Sequence, residues 1–291
     1  MTDGENNKRA DLLLSELGIK ALKSFGQNFL LEENIADRIV NEVPSRHLDK
    51  ILEIGPGLGV LTERLLERGS KITAIEKDRT LANYLSEKFS VTDKGEITII
   101  NEDALNILDD FLKKDLFIVS NLPFNISSRL TGNILDSVNF IPRNDNPFKG
   151  AVIMYQEEFA RRLVSGHGGK EYGRLSVMFR SKMDHNEVMD VPKGAFHPVP
   201  KVNAKVVHFH PKDEYDICPV DEELFRKLVH VVFLNRRKKM KNSANPRSFG
   251  LELEMDDIKW ILDDLDLTDR RPEELSPEIF IRLSNRLSDL T

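Results

Sequence analysis

Residues 51–59 read ILEIGPGLG: a four-residue apolar-rich run, ILEI, gives way to glycines at alternate positions, Gly55, Gly57 and Gly59. A short run of this kind bounded by glycine is a buried strand. LTERLLERG (61–69) behind it repeats its apolar residues at helical spacing. Glycines at such a strand-to-helix junction let the main chain turn sharply and approach a ligand at the helix N-terminus. The spacing is G-x-G-x-G, not the G-x-G-x-x-G of a dinucleotide site. A cofactor with a smaller footprint than a pyrophosphate suits it better. The same glycines would also serve a tight turn that binds nothing.

Outward from this loop the pattern alternates. KITAIE (71–76), ITII (97–100), LFIVS (116–120) and AVIMYQ (151–156) are strands, and RTLANYLSEKF (79–89) is a helix. EVMDV (187–191) and AKVVHFH (204–210) form a closing pair around the proline-rich VPKGAFHPVPKV. Toward the N-terminus, residues 8–17 and 33–43 have helical period, with SFGQNFL (24–30) between them. Strands alternating with helices predict an α/β fold with a mostly parallel sheet and helices on both faces. PKDEYDICP (211–219) reads as a linker, and DEELFRKLVHVVFLN, MDDIKWILDDL and PEIFIRLSNRLSDL beyond it have helical period only. The expected division is residues 1–213, a large α/β domain with an N-terminal helical extension, and residues 214–291, a small all-helical domain with Trp260 as its core anchor.

Composition narrows the class. No apolar run approaches the roughly 18 residues of a membrane span, and the polar start MTDGENNKRADLLL lacks the features of a signal peptide. A single cysteine, Cys218, excludes an intrachain disulfide framework and a multi-cysteine zinc site. His197, His208 and His210 have no partner at metal-ligand spacing, so no metal is expected. A cytoplasmic, monomeric protein with no membrane association is the expectation. The net charge of -6 weighs against nucleic acid. Its distribution weighs the other way, with basic clusters at Arg236, Arg237, Lys238, Lys239 and Lys241 and at Arg161, Arg162, Lys170 and Arg174. A charge run is also what a solvated face looks like.

Three strand ends carry the chemistry. Glu76 closes the second strand, near the offset of about 20 residues at which an acid meets ribose hydroxyls in nucleotide-binding α/β folds. Asp103 follows the third strand, where a carboxylate can accept from an adenine amino group. A glycine loop and two acids at one crevice suit an adenosine without phosphates. After the fourth strand comes Asn121-Leu122-Pro123-Phe124. An adenine N6 amine is a poor nucleophile because its lone pair is delocalised into the ring. An amide oxygen from Asn121 and a main-chain carbonyl, of Leu122 or Pro123, would accept its two N–H bonds and favour the pyramidal nitrogen of the transition state. Phe124 offers a face for the base. A strand-terminating turn with a core phenylalanine would use the same residues.

The order SFGQNFL, LEIGPGLGVLTE, Glu76, NEDAL, NLPFNISS, MYQEEFARRLV, YGRLSV, AFHPVPKV and FLNRRKKMKN resembles the ribosomal RNA adenine dimethyltransferase family from about residue 20 to residue 242. The resemblance implies a Rossmann-like class I methyltransferase domain with a seven-stranded sheet and S-adenosylmethionine as cofactor. It implies N6,N6-dimethylation of two adjacent adenosines in a hairpin loop near the 3′ end of small-subunit ribosomal RNA, within an immature 30S- or 40S-type particle. Residue by residue, Asn28, Leu30, Gly55, Gly57, Glu76, Asp103 and Asn121 would hold the cofactor, and Asn121, Leu122, Pro123 and Phe124 would form the catalytic turn. Phe124 and Phe196 would sandwich the target base, and Arg236, Arg237 and Lys238 would meet RNA. Family members often carry tyrosine where Phe124 stands, which puts a role for that hydroxyl in doubt and leaves the stacking face. Tyr172 to Ser176 match a family motif that suits a structural role as well as a substrate contact. Competing readings are the related large-subunit methyltransferases, an assembly factor without catalysis, and a small-molecule methyltransferase. AFHPVPKV, YGRLSV and the helical tail favour the small-subunit group.

Overall fold

The strand of residues 51–54 is the third of seven in one sheet, and every residue in it is buried, Glu53 included. The computed structural model of the protein describes residues 10–12, 14–18, 27–249, 252 and 254–290. Residues 19–26, which include the first part of SFGQNFL, lie outside the described residues, and residues 10–12 and 14–16 are helical as expected.

The chain runs β1 (Phe29–Leu30), α1 (Glu33–Asn41), β2 (Ile51–Ile54), α2 (Val60–Glu67), β3 (Lys71–Glu76), α3 (Arg79–Lys88) and β4 (Glu96–Asn101). It continues with α4 (Ala104–Leu112), β5 (Leu116–Asn121), α5 (Ser127–Ser137), β6 (Phe148–Gln156), α6 (Glu157–Val164), α7 (Arg174–Lys182) and β7 (Met183–Val191). Then come β8 (Phe196–His197) and β9 (Ala204–Pro211), followed by the helices α8 (Glu222–Leu234), α9 (Met255–Asp264) and α10 (Pro277–Ser288), with single turns at Met240–Ser243 and Pro246–Phe249. The strand order is β4-β3-β2-β5-β6-β9-β7. The pairs β4–β3, β3–β2, β2–β5 and β5–β6 are parallel, and β6–β9 is antiparallel. The α/β class, the mostly parallel seven-stranded sheet and the helical tail are therefore all present.

Strand order decides where a ligand can bind. β2 sits between β3 and β5, so the chain after β2 crosses one way and the chain after β4 returns past it. In open α/β sheets ligands bind beyond the carboxyl ends of the strands at such a reversal. The ends of β2, β3, β4 and β5 carry the Gly55 loop, Glu76, the Asp103 loop and Asn121.

Two compact units emerge from the chain. The first holds the sheet and is built from residues 1–139, 143–160 and 184–211; the second comprises residues 140–142, 161–183 and 212–291. The division is not the single cut between 213 and 214. The segment around α7 belongs with the C-terminal helices because it carries their packing: Tyr172 is fully buried and its hydroxyl donates to the carbonyl of Leu275 at 2.8 Å. The buried Lys182 pairs with Glu222 at 2.5 Å. Tyr172 in the YGRLS motif is thus a structural residue. Trp260 is not the core anchor of this unit. It is 57% exposed, with the Arg286 guanidinium 5.3 Å from its ring centroid, while Phe225, Phe249 and Phe280 fill the core.

Inside the sheet, Glu53 is 1% exposed and accepts a hydrogen bond from Thr62 Oγ1 at 2.7 Å, tying β2 to α2 across the glycine loop. Its other oxygen, Oε1, has no hydrogen-bond partner among the described residues. Desolvation, opposed by the Thr62 bond and reinforced by the charge of Glu76, pushes its pKa up to about 8. The unfolded chain releases this proton near the ordinary glutamate value and the folded chain keeps it, so stability falls as pH rises between these two values. Glu53→Gln removes that dependence. Melting curves from pH 5 to pH 8 are expected to show wild type losing stability relative to the variant as pH rises. About 1 kcal/mol corresponds to a Tm shift of about 2–4 °C, and parallel curves for the two proteins would disprove the assignment.

Candidate active site

Three glycines in the left-handed region make the loop possible: Gly55, Gly57 and Gly59 have φ of 67°, 59° and 82°. Such values strain any residue with a Cβ. Gly59 caps α2, and the Gly55 N–H donates to the carbonyl of Ile75 at 2.9 Å, which pins the loop to β3. At Gly57 a Cβ would meet the ring of Phe29 at 2.9 Å, and at Gly55 it would meet Pro123 at 3.4 Å. The loop is thus pressed between β1 and the turn after β5.

Beyond these strand ends lies a cavity of about 1050 Å³, counted to its open mouth. Asn28, Leu30, Gly55, Gly57, Glu76, Asp103, Asn121, Leu122, Pro123 and Phe124 all line it. Five separate segments of sequence converge there.

Glu76 is 5% exposed, and both its oxygens accept main-chain N–H groups, Oε2 from Gly57 at 3.2 Å and Oε1 from Asp78 at 2.9 Å. Burial raises its pKa, and these N–H donors oppose the rise. Asp103 caps α4 by accepting from Leu105 N at 3.0 Å, and its second oxygen meets Lys77 Nζ at 2.8 Å. That ammonium group holds the Asp103 carboxyl below the usual aspartate range. Asn101 fixes this corner by donating its amide to the carbonyls of Glu76 and Lys77 at 2.9 and 3.2 Å.

Asn121 ends β5, half-buried, with its side-chain amide donating to the main-chain carbonyl of Asn28 at 3.1 Å. The turn that follows is closed by Ile126 N–H on the Pro123 carbonyl at 3.1 Å and by Ser127 Oγ on the same oxygen at 3.4 Å. Leu122 is buried, whereas Pro123 and Phe124 are half-buried at the cavity.

Four expected residues stand apart. Phe196 is fully buried in the sheet core beside Leu30 and does not line the cavity. Its pairing to Leu30 in the β1–β8 ladder turns the ring inward, so in this conformation it offers no stacking face. Arg236 is also committed: its guanidinium bonds Glu273 Oε2 at 2.5 Å and the carbonyls of Gly169 and Lys170 at 3.3 and 2.7 Å. It holds the second unit together and is not a free RNA contact. Arg237 and Lys238 are exposed just past the end of α8. Lys77 and the Asn28 carbonyl were not anticipated from the sequence. The Glu76-Lys77-Asp78 run hinted at the first, and no side-chain pattern announces a main-chain acceptor.

S-Adenosylmethionine fits this donor set. A buried carboxylate at the end of β3 suits the ribose diol, Asp103 suits the adenine amino group, and a main chain without Cβ atoms at Gly55 and Gly57 allows close approach. The sheet order and this site define a class I S-adenosylmethionine-dependent methyltransferase.

The comparisons with known proteins carry the assignment further: the chain belongs to the ribosomal RNA adenine dimethylase family, whose model matches residues 18–281. The probable ribosomal RNA small subunit methyltransferase A of Methanosarcina acetivorans is 40% identical over 96% of this chain and 97% of the relative. The ribosomal RNA small subunit methyltransferase A of Pediococcus pentosaceus is 36% identical over 97% and 95%. Among solved structures, a dimethyladenosine transferase from Plasmodium falciparum superposes with a TM-score of 0.70 at 25% identity, covering 87% of this chain and 94% of that one. The 23S rRNA methyltransferase ErmE superposes at 0.66 and 25% identity, covering 90% and 100%. The chain is an enzyme that uses S-adenosylmethionine to methylate adenine in ribosomal RNA.

Two glycine substitutions separate the site from the fold. Gly57→Ala carries the left-handed strain and drives a Cβ into Phe29, whereas Gly69→Ala, at φ 77° with open space around it, carries the strain alone. Gly69→Ala is expected to lose about 1–2 kcal/mol of stability with unchanged cofactor affinity. Gly57→Ala is expected to weaken S-adenosylmethionine binding by at least about tenfold, or 1.4 kcal/mol, in titration calorimetry. Equal affinities in the two variants would remove the loop from the binding site.

Proposed function

We propose that the protein dimethylates N6 of two adjacent adenosines in a hairpin loop near the 3′ end of small-subunit ribosomal RNA, acting as a cytoplasmic monomer on an immature small-subunit particle. The names of the relatives at 36–40% identity support the choice of subunit. The observation that carries the chemistry is the turn after β5. Asn121 donates its amide N–H to Asn28, so its Oδ1 faces away from that bond and accepts no hydrogen bond from the described residues. The Pro123 carbonyl is taken by Ile126 and Ser127, which leaves the Leu122 carbonyl as the main-chain acceptor.

S-Adenosylmethionine supplies an electrophilic methyl group on a sulfonium. The residues of this chain do the rest. Glu76 and the Gly55–Gly57 main chain orient the adenosine half, and Asp103 reads its amino group. Asn121 Oδ1 and the Leu122 carbonyl accept the two N–H bonds of the target amine. They draw the nitrogen lone pair out of conjugation and stabilise the positive charge that grows on it. Phe124 stacks on the extruded base. Once methylated, the nitrogen is acidic enough to lose its proton without a strong base. Monomethyladenosine retains one N–H and can be held by either acceptor for the second transfer.

Asn121→Ala is expected to lower methyl incorporation into immature small-subunit particles by about 100-fold or more, with RNA binding retained. Mass spectrometry of small-subunit RNA from cells lacking the gene should show loss of N6,N6-dimethyladenosine. A loss confined to large-subunit RNA would instead place the enzyme beside ErmE. Arg237→Ala and Lys238→Ala are each expected to lower the salt dependence of RNA binding by about one unit of slope, whereas Arg236→Ala should lower the melting temperature. A slope unchanged in both exposed variants would exclude them from the RNA interface.

A further inference from the structure

The Asn121 amide has two ends with opposite hydrogen-bonding character, and only one can face the target amine. An oxygen there accepts the N–H bonds; a nitrogen there would oppose a donor to a donor. The chain settles which end it is through the Asn28 carbonyl, an obligate acceptor 3.1 Å from Nδ2. We propose that the main chain at Asn28 is a positioning element for catalysis, setting the rotamer of Asn121 with its oxygen toward the substrate. This deepens the reading of Asn121 as the acceptor of the target amine and rests on it.

The carbonyl is itself held from several sides. Phe29 and Leu30 pair antiparallel with His197 and Phe196, and Leu31 N–H donates to the Ala195 carbonyl at 3.0 Å. His197 Nε2 lies 2.8 Å from Asp11 Oδ1. The Phe29 ring is 5% exposed, packs with Leu14, Leu58 and Leu81, and lies against Gly57. One strap, residues 27–31, therefore touches the glycine loop through a side chain and the catalytic amide through a carbonyl. Both Gly57 and Asn28 line the cavity that takes the cofactor. A displaced strap releases the Asn121 amide to rotate, so a seated glycine loop and a productive acceptor become one event.

Asn121→Asp tests the orientation, because an aspartate can satisfy the Asn28 carbonyl only as the neutral acid. Protonated, it donates to that carbonyl and presents C=O to the amine; ionised, it sets a negative oxygen against the carbonyl. The measurement is the ratio of variant to wild-type kcat across pH 5.5–8.5. The other titratable groups of the cavity, Glu76, Lys77, Asp78, Glu102 and Asp103, are common to both proteins and cancel in it. The expected ratio falls by up to about tenfold per pH unit as the introduced acid ionises. A flat or rising ratio overturns the proposal, as does a variant that binds cofactor and is inactive at every pH. Should the variant fail to fold, selective ¹⁵N-asparagine labelling of wild type decides. The Asn121 side-chain amide, identified by its loss in Asn121→Ala, should exchange slowly with solvent and lose that protection in Phe29→Ala. Fast exchange in wild type overturns the proposal. Undiminished turnover in Asn121→Ala would instead remove the underlying catalytic role, a different failure with a different readout.

Discussion

Glu76 accepts a main-chain N–H from Gly57 on one side and from Asp78 on the other, with only 5% of its surface open to solvent. A buried carboxylate is costly unless its lone pairs are occupied, so the loops after β2 and β3 are obliged to bring their amides to it. The Gly57 amide can point there only with φ near 59°, which confines the position to glycine in practice. That glycine in turn leaves the room that the Phe29 ring fills. One anion thus fixes the glycine loop, the start of α3 and the seat of the N-terminal strap. Asn101 reinforces the same corner from β4.

The parallel strands around this corner have different tasks. β2, β3 and β4 end in groups suited to an adenosine, while β5 ends in the Asn121–Phe124 turn suited to the base that is modified. Ser120 Oγ joins the two halves by donating to the Ile54 carbonyl at 2.5 Å, one residue before each functional loop begins. The groups proposed to hold cofactor and substrate therefore sit at the ends of neighbouring strands. In the proposed mechanism such fixed acceptors need no reorganisation when charge develops on the target nitrogen, which is where electrostatic catalysis gains most.

Much of this was legible in the sequence because it rests on residue types with few alternatives. Alternating glycines, an acid at the end of β3, Asp103 after β4 and NLPF after β5 each constrain the main chain strongly, and Gly55, Gly57, Glu76, Asp103 and Asn121 to Phe124 all line one cavity. What could not be read depended on direction. Phe196 and Phe124 look alike in sequence, but the two-residue ladder with β1 turns Phe196 into the core. Trp260 looks like an anchor by size alone, yet the face of α9 that packs is the one bearing Ile258, Ile261 and Leu262. A linear boundary cannot show that the YGRLS segment groups with the C-terminal helices, because Tyr172 finds Leu275 across 103 residues of chain.

The same lesson governs the charge. Counted along the sequence, Arg236 to Lys241 is a run of cations fit for a phosphate backbone. In the folded chain Arg236 is bound to Glu273, and Lys239 and Lys241 share Asp269 at 2.9 and 2.8 Å. Their hold on Asp269 brings its pKa down to about 2. Lys205 is likewise claimed by Glu187 and Asp190. A net charge of -6 does not by itself exclude RNA binding, because the potential that a phosphate meets is set locally by the surface patch it approaches. Within this run Arg237 and Lys238 are left exposed, and they are the two proposed to meet phosphate. An RNA surface made of a few such residues binds less by total charge than by where the fold declines to neutralise it.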